Sequence, residues 1–297
     1  MKRTKRKILA LLGATLVLLC TFMLSGFTRA TRVNYNGVKK IYDKNVNNYS
    51  NVGVKIGATT LSDKALLIHD TTYVTLRSFS DALARVDISY NPWQRQASVL
   101  GEGLLLTATD GAYVVEANGR TLFAMTPVVI MNDGKMYVPI RTLAKAYGVS
   151  VAWDDATRSV SIRGNVNYLE HADSFYDKDE LYWLSRIISA ESRGEPLLGQ
   201  IAVGNVVLNR QASSLYPSTI YGVIFDRKHG VQFSPVLDGS IYQSPTYSSQ
   251  VAAKIALEGF TLSDDMLFFL QPRTAQSNWI VLNRTYLFTI GNHDFYA

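Results

Sequence analysis

Cysteine is almost absent from this sequence of 297 residues, and the single one, Cys20, lies in an apolar run near the N-terminus. The rest of the chain therefore has no disulfide and no thiol chemistry, and its fold depends on its hydrophobic core alone. Charged residues are also few, at 18%, against 47% hydrophobic residues. This composition excludes disordered and collagen-like proteins and is typical of globular ones. The length allows about two domains.

Excess positive charge is lacking everywhere except at the N-terminus. Residues 1–30 contain six basic residues and no acidic one, which accounts for the whole formal net charge of +6. Residues 31–297 contain 24 residues of each sign. The basic isoelectric point is therefore a property of the N-terminal segment and no evidence for nucleic-acid binding, and we expect no nucleic-acid partner.

Residues 1–30 have the features of an export signal. A basic segment, Met1–Lys7, precedes an apolar run from Ile8 to Leu24, and a candidate cleavage site follows at Ala30. Because the run is about long enough to cross a bilayer, the segment is either a cleaved signal peptide or a signal-anchor that keeps the protein at the membrane. In both cases the rest of the chain is expected outside the cytoplasm. Residues 31–51, rich in Asn and Tyr, form a predicted spacer.

An internal repeat follows the spacer. The five residues that start at Tyr73 match the five that start at Tyr137, at an offset of 64. After a slip of one residue, four further pairs correspond: Tyr90 with Trp153, Arg95 with Arg158, Ala97 with Val160, and Val99 with Ile162. Each copy predicts a β-hairpin, a short helix (78–85 and 142–147) and a closing hairpin. Such repeats usually stack around a shared core.

Residues 52–164 resemble the copper amine oxidase N-terminal, or stalk, domain of exported bacterial proteins. The resemblance rests on Tyr137–Arg141 and on the run from Trp153 to Ile162. It implies no oxidase, because the quinone-forming Asn-Tyr-Asp/Glu triplet and a His-X-His copper pair are both absent. The four histidines are scattered without the spacing of metal ligands, so we expect no metal and no cofactor: His69, His171, His229 and His293.

A polar linker at 165–175 leads to a second predicted domain at 176–297. Hydrophobic periodicity predicts a helix that contains Glu191, then helices at 197–212 and 247–259. Two alternating strands, Met266–Leu270 and Tyr286–Ile290, are expected to pair as a hairpin around Trp279. Three aromatic residues are expected in the core: Trp279, Phe295 and Tyr296.

Glu191 is the leading candidate for chemistry. It continues the helical spacing of the apolar residues before it, so its carboxylate falls on the apolar stripe of its own helix: Leu181, Leu184, Ile187 and Ile188. The segment 193–196 breaks this helix. Partial desolvation disfavours the anion and raises the pKa, as a general acid near neutral pH requires. Spacing alone favours the alternative, an ion pair with Arg186 or Arg193 that merely closes the helix.

The C-terminal domain resembles the cell wall hydrolase family of the spore cortex-lytic, germination-specific enzymes. Three separate blocks carry the resemblance. The first is Ala190-Glu191-Ser192-Arg193-Gly194-Glu195-Pro196 with Gly199–Val203 and Val206–Arg210; the second is Gly222–Ile224 with Gln232–Val236 and Asp238-Gly239; the third is Leu267–Phe269, Trp279 and Ile290–Tyr296. The resemblance implies an α-rich lysozyme-like domain in an α+β protein. It also implies cleavage of peptidoglycan between N-acetylmuramic acid and N-acetylglucosamine, with Glu191 as the catalytic acid.

The number of carboxylates bears on the mechanism. A retaining or inverting glycosidase needs a second carboxylate across the bond, whereas a lytic transglycosylase needs one acid. Asp238 is the only other acid in a matched loop, and Asp-Gly more often forms a turn. Glu195, beside the start of the next helix, is expected to be structural. We therefore favour a lytic transglycosylase, with a muramidase-type hydrolase or a non-catalytic peptidoglycan-binding scaffold as alternatives. A zinc amidase is disfavoured, because no ligand set is present.

Gln232, Phe233 and Ser234 are candidates to line the saccharide cleft, where the ring of Phe233 could stack on a sugar. The alternative is that Phe233 is core and Ser234 part of a turn. Asn209 and Arg210, at a helix end, are compatible with a structural role. Peptidoglycan is the expected partner. The stalk, with 15 basic and 11 acidic residues in 31–164, is suited to other anionic wall polymers, although solvated lysines explain the same charge.

Overall fold

The computed structural model describes residues 49–297 except Ala58, His229 and Gln276. The predicted leader, most of the predicted spacer, and His229 therefore lie outside the described residues. The chain divides into two compact units, one that ends at Phe175 and one at Tyr176–Ala297. We call them the N-terminal unit and the C-terminal unit.

The N-terminal unit is made mainly of β-strands. Its strands are β1 (Ser50–Ile56), β2 (Thr59–Thr60), β3 (Ala65–Ile68), β4 (Thr71–Thr75), β5 (Val86–Asn91), β6 (Gln96–Gly101), β7 (Leu104–Thr109), β8 (Val114–Ala117), β9 (Arg120–Phe123), β10 (Val129–Ile130), β11 (Met136–Pro139), β12 (Ser150–Asp154) and β13 (Ser159–Arg163). Its helices are α1 (Leu76–Leu83), α2 (Ile140–Tyr147) and the short α3 (Ala172–Phe175).

Two sheets organise these strands. The larger has the order β10-β11-β4-β3-β1-β13-β12, with β2 paired to β1, and the smaller runs β5-β6-β7-β8-β9 in chain order. Within the larger sheet, β1 and β13 pair in parallel and the other pairs are antiparallel. Because β1 begins at Ser50, the last residues of the predicted spacer belong to this sheet.

The repeat is visible as internal symmetry. Each copy has a hairpin (β3–β4 or β10–β11), a helix (α1 or α2) and a second hairpin (β5–β6 or β12–β13). Strands β4 and β11, which correspond in sequence, pair with each other, and Val74 lies directly opposite Val138. The corresponding residues Arg95 and Arg158 both have a positive φ, of 51° and 46°. Equivalent residues of the two copies therefore meet at the Val74–Val138 pair.

Both helices begin two residues earlier than predicted. Thr75 is the residue before α1, and its Oγ1 accepts a hydrogen bond from the backbone N–H of Ser78 at 3.3 Å. Capping of this kind starts the helix directly after the strand.

The second hairpins of the two copies differ in what they pair with. Strand β6 pairs with β7 in the smaller sheet, whereas β13 pairs with β1 in the larger sheet. The shared core includes Val74, Val99, Leu106 and Val138.

The predicted linker packs onto the N-terminal unit. The backbone N–H of Asn167 donates to the carbonyl of Tyr147 at 3.0 Å, and that of Ala172 donates to the carbonyl of Asn118 at 2.9 Å. The guanidinium of Arg120 lies 3.3 Å from the ring centre of Phe175. The next residue, Tyr176, is buried in the C-terminal unit. The chain thus passes from one core to the other within two residues.

The C-terminal unit is mainly helical, as predicted. Its elements are α4 (Lys178–Ser192), α5 (Leu197–Ala212), α6 (Ile220–Ile224), α7 (Pro235–Asp238), a 3₁₀ turn (Ser240–Tyr242), α8 (Tyr247–Leu257), β14 (Phe268–Leu270), α9 (Trp279–Asn283), β15 (Tyr286–Ile290) and β16 (His293–Tyr296). Asp177 caps α4, since its Oδ1 accepts from the backbone N–H groups of Asp179 and Glu180. Gly204 allows α5 to approach α4, because a Cβ there would lie 2.8 Å from Cδ1 of Ile188.

The predicted hairpin in this unit is wrong in its pairing. Strands β14 and β15 both pair with β16, which lies between them in a three-stranded sheet of order β14-β16-β15. Phe295 and Tyr296 on β16 are buried, as predicted. Trp279 is 50% exposed on α9, so its assignment to the core is wrong. All four residues of β16 are buried, so this strand has no exposed face. Its sequence therefore lacks the alternation of apolar and polar residues by which a strand is recognised.

Candidate active site

Glu191 lies in the last turn of α4, next to the buried side chains of Ile187 and Ile188. Its side chain is half-buried. Burial raises the pKa of Glu191 from its ordinary 4.5 to about 7, and the negative charge of Asp238 adds to the increase. Desolvation disfavours the ionised form, so this carboxyl group keeps its proton up to about neutral pH. The position on the apolar stripe produces the effect that the spacing predicted.

The ion pairs considered as an alternative are absent. The guanidinium of Arg193 donates to the carbonyl of Ser189 at 3.1 Å and to the side chain of Gln243 at 3.3 Å. That of Arg186 stacks on Tyr182, 3.6 Å from the ring centre. Across residues 49–297, apart from the three gaps, no side chain forms a hydrogen bond or ion pair with the carboxyl group of Glu191. This group is therefore available to a ligand.

Asp238 ends α7 and forms the predicted turn. Its Oδ1 accepts from the backbone N–H of Ser240 at 2.8 Å, and Gly239 has a φ of 79°. Hydrogen bonds from Ser240 lower the pKa of Asp238. The site therefore combines a carboxyl group that remains protonated near neutral pH with a nearby carboxylate that remains ionised. Divergent pKa values of this kind assign acid and base roles in glycosidases.

Glu195 has a structural role, but with a different partner from the one expected. Its carboxylate accepts hydrogen bonds from the backbone N–H of Asn292 at 2.8 Å and from Nδ2 of Asn292 at 3.0 Å. These bonds fix the turn between β15 and β16 to the loop after α4. Nδ1 of His293 lies 3.9 Å from Oε1 of Glu195, and burial lowers the pKa of this imidazole.

The three predicted cleft residues differ in their surroundings. Phe233 is 3% exposed, with its ring 6.4 Å from that of Phe269, so it has no free face for a sugar and its expected stacking role is wrong. The side chain of Gln232 accepts from Arg210 at 3.4 Å and donates to the carbonyl of Gly230 at 3.1 Å. Ser234 is exposed, one turn before Asp238. Ser234 and the half-buried Gln232 thus remain accessible, whereas Phe233 does not.

Asn209 and Arg210 connect α5 to the segment before β14. Nδ2 of Asn209 donates to the carbonyls of Ser263 at 2.8 Å and Met266 at 2.9 Å. Nε of Arg210 donates to the carbonyl of Leu267 at 2.8 Å. The structural interpretation of these two residues is therefore correct.

The described residues contain no group of three or more His, Cys, Asp or Glu side chains that could hold a metal ion. None of the described helices combines the length and the apolar character that crossing a membrane requires.

Each of the two units matches the model of a known protein family. Residues 194–296 match the family model of the Cell Wall Hydrolase, and residues 53–162 match that of the Copper amine oxidase N-terminal domain. The match to the cell wall hydrolase model thus covers most of the C-terminal unit. The match to the family model begins at residue 194, after Glu191, and therefore says nothing about this residue. Any role of Glu191 is argued from its burial and its raised pKa.

Curated relatives of this hydrolase domain carry the name spore cortex-lytic enzyme. The protein of Bacillus cereus is 38% identical over 120 residues, which is 40% of this chain and 45% of the relative. That of Bacillus subtilis is 36% identical over 120 residues, or 38% of its length. The chain thus spans less than half the length of these relatives. Among solved structures, the catalytic domain of the germination-specific lytic transglycosylase SleB from Bacillus anthracis is 36% identical, with a TM-score of 0.38. The match covers 41% of this chain and 97% of that domain.

Proposed function

We propose that this protein is an exported enzyme that cleaves the glycan strand of peptidoglycan, as a lytic transglycosylase with Glu191 as its acid. The observation that carries the proposal is the environment of Glu191. Its carboxyl group is half-buried, has no partner among the described residues and has a pKa of about 7. The match of residues 194–296 to the cell wall hydrolase family model and the names of the curated relatives support the same chemistry.

The reaction needs one proton donor that can recover its proton. The protonated Glu191 donates to the oxygen of the bond between N-acetylmuramic acid and N-acetylglucosamine, and the bond from that oxygen to the anomeric carbon breaks. The 6-hydroxyl of the muramic acid then forms a bond to the anomeric carbon and gives its proton to Glu191. The products are a free 4-hydroxyl on one side and a 1,6-anhydro end on the other, and no water is consumed. Positioned proton transfer contributes roughly 10²–10⁴-fold to such a rate.

A muramidase-type hydrolase is the second candidate, and Asp238 favours it. This carboxylate is close enough for its charge to raise the pKa of Glu191. A hydrolase would use it either as a nucleophile or as the base that activates water. In a lytic transglycosylase, by contrast, Asp238 would have only an electrostatic role, in which its charge keeps Glu191 protonated. The hydrogen bond that Asp238 accepts from the backbone N–H of Ser240 fits that role.

Mass spectrometry of muropeptides tests these alternatives, with Glu191→Gln, Asp238→Asn and the exposed control Asp265→Asn beside the wild-type protein. We expect anhydro-muramic ends from the wild type and the control, and a loss of at least about 100-fold in Glu191→Gln. Asp238→Asn should still form anhydro ends, and the pH above which activity declines should fall, because the charge that raises the pKa of Glu191 is removed.

Other results would contradict the proposal in defined ways. Reducing muramic ends, abolished by Asp238→Asn, would replace transglycosylation by hydrolysis. Binding to peptidoglycan without products from any variant would favour the scaffold alternative.

We also propose that the N-terminal unit serves as a stalk between the hydrolase domain and the membrane or wall. The apolar segment at Ile8–Leu24 would anchor the chain if it is not cleaved, and peptidoglycan would be the main partner. The relatives are named for spore cortex lysis, but a copper amine oxidase N-terminal domain is compatible with cortex and vegetative wall alike.

A further inference from the structure

We infer that four aromatic side chains beside the active site form a platform that binds additional sugar rings of the glycan strand. The aromatic platform consists of Trp183, Tyr221, Phe225 and Tyr242. The inference deepens the proposed function, since it names a binding surface for the same polysaccharide at a distance from the bond that is cut.

Each of the other three rings of the platform contacts the ring of Trp183. The ring of Trp183 on α4 meets that of Tyr221 at 5.2 Å, that of Phe225 at 5.3 Å and that of Tyr242 at 6.3 Å, all edge to face. Tyr221 and Phe225 lie 4.5 Å apart with an angle of 31° between their planes. These contacts come from three different elements and hold the rings in fixed orientations.

The platform is open to solvent. Tyr221 is 52% exposed and Tyr242 is 62% exposed, while Trp183 and Phe225 are half-buried. Contiguous exposed aromatic surface is unusual on a soluble domain and marks a binding site more often than a scattered apolar residue does. Tyr182 also contacts Trp183, but the guanidinium of Arg186 lies over its ring, so we leave it out of the platform.

The platform is continuous with the site of Glu191. Trp183 and Glu191 lie on the same helix, eight residues or about 12 Å apart along its axis. Both face the segment 238–242: the charge of Asp238 acts on Glu191, and the ring of Tyr242 contacts Trp183. One segment thus borders both places, so a linear polymer that reaches Glu191 can extend along α4 onto the aromatic rings.

The chemistry of the platform suits an N-acetylhexosamine better than a purely apolar partner. A pyranose presents an apolar face of C–H groups and a polar rim, and Tyr and Trp rings combine an apolar body with a polar tip. The four rings themselves are uncharged, which suits the uncharged N-acetylglucosamine ring. We therefore commit to the glycan backbone as the occupant and not to the peptide stems.

Binding without cleavage tests the inference. In the Glu191→Gln background, we would measure cosedimentation with insoluble peptidoglycan and the tryptophan fluorescence change on adding oligomers of N-acetylglucosamine. Tyr221→Ala with Tyr242→Ala should weaken both about tenfold or more. Tyr242→Phe should retain binding, because the ring remains. Trp183→Phe should abolish the fluorescence change. The matched control is Tyr247→Ala, since Tyr247 is 77% exposed but has no part in the platform.

The outcomes separate this inference from the proposed cleavage. Unchanged binding in the double variant, or an equal loss in Tyr247→Ala, would overturn the platform whatever the enzyme does. If the Tyr→Ala variants unfold at a lower temperature than the parent protein, the decision passes to the two variants that keep a ring. Retained binding in Tyr242→Phe with a lost fluorescence change in Trp183→Phe would support the platform, and any other result would contradict it. Weakened binding in the double variant, together with no cleavage products from the wild-type protein, would support the platform while contradicting the lytic function. Binding of stem peptides but not of the oligomers would contradict the committed occupant.

Discussion

At the scale of single residues, the site depends on two carboxyl groups that the fold treats in opposite ways. Glu191 loses solvent on the apolar stripe of α4, while hydrogen bonds from Ser240 hold Asp238 in its ionised form. The effect on Glu191 follows from spacing within one helix and was predictable. The contribution of Asp238 was not, because it depends on a contact between residues 47 positions apart in the sequence. Local patterns carry no information on such contacts.

The raised pKa of Glu191 has a consequence for stability that does not depend on activity. The folded state binds the proton more tightly than the unfolded chain, whose glutamate has the ordinary pKa of 4.5. The free energy of unfolding should therefore fall as the pH rises from about 4.5 to about 7, by up to about 3 kcal/mol. Glu191→Gln removes the buried charge, so its melting temperature should exceed that of the wild type by several degrees at pH 8.

Thermal unfolding at pH 4 and pH 8 checks this prediction. At pH 4 both proteins are neutral at residue 191, and their melting temperatures should agree. Asp265→Asn, at an exposed site, should follow the wild type at both pH values. A Glu191→Gln variant less stable than the wild type at pH 8 would mean that the ionised carboxylate has a stabilising partner, and it would contradict the desolvated general acid.

At the scale of secondary-structure elements, the sequence was informative for helices and hairpins and uninformative for pairing between distant strands. The helices α4 and α5 have strong periodicity, and the repeat identified two pairs of corresponding hairpins. Strand β16 was missed because all its residues are buried, and its pairing with β14 spans about two dozen residues of chain. Phe233 was similarly ambiguous, because a buried aromatic and a sugar-stacking aromatic look alike in sequence.

The turn between β15 and β16 gives a prediction at this scale. Gly291 has a φ of 61°, and a Cβ there would lie 1.9 Å from Oε2 of Glu195. Gly291→Ala must therefore strain the backbone, which alone costs about 1–2 kcal/mol, and displace the carboxylate from Asn292. We expect lower stability and lower activity together, because the loop after α4 also positions Glu191. Gly194→Ala is the control, since a Cβ there meets nothing within 4 Å. Equal melting temperatures of the two variants in thermal unfolding would contradict this role of the turn.

At the scale of the whole molecule, the chain combines two units with separate cores and opposite charge. The core of the N-terminal unit is built from its own residues, from Val52 to Leu169. In the C-terminal unit, Tyr176 is already part of the new core, and its hydroxyl donates to Glu258 at 2.9 Å. The N-terminal part has 15 basic and 11 acidic residues in 31–164, and the C-terminal part has 9 and 13 in 165–297. Under the proposed function, cleavage of the glycan belongs to the acidic part, and binding of anionic wall polymers belongs to the basic part.

This division predicts how the protein behaves when the units are separated. Residues 176–297 alone should fold, because they keep Tyr176 and every contact described around Glu191. They should cleave short soluble glycan fragments as fast as residues 31–297, since such fragments need only the C-terminal unit. On intact wall sacculi, which carry anionic polymers, the longer protein should be faster, and added salt should reduce its advantage because exposed charges are screened. Equal rates on sacculi would contradict a wall-binding stalk and leave it as a spacer. Slower cleavage of soluble fragments by residues 176–297 would instead show that the N-terminal unit contributes to catalysis, contrary to the site described here.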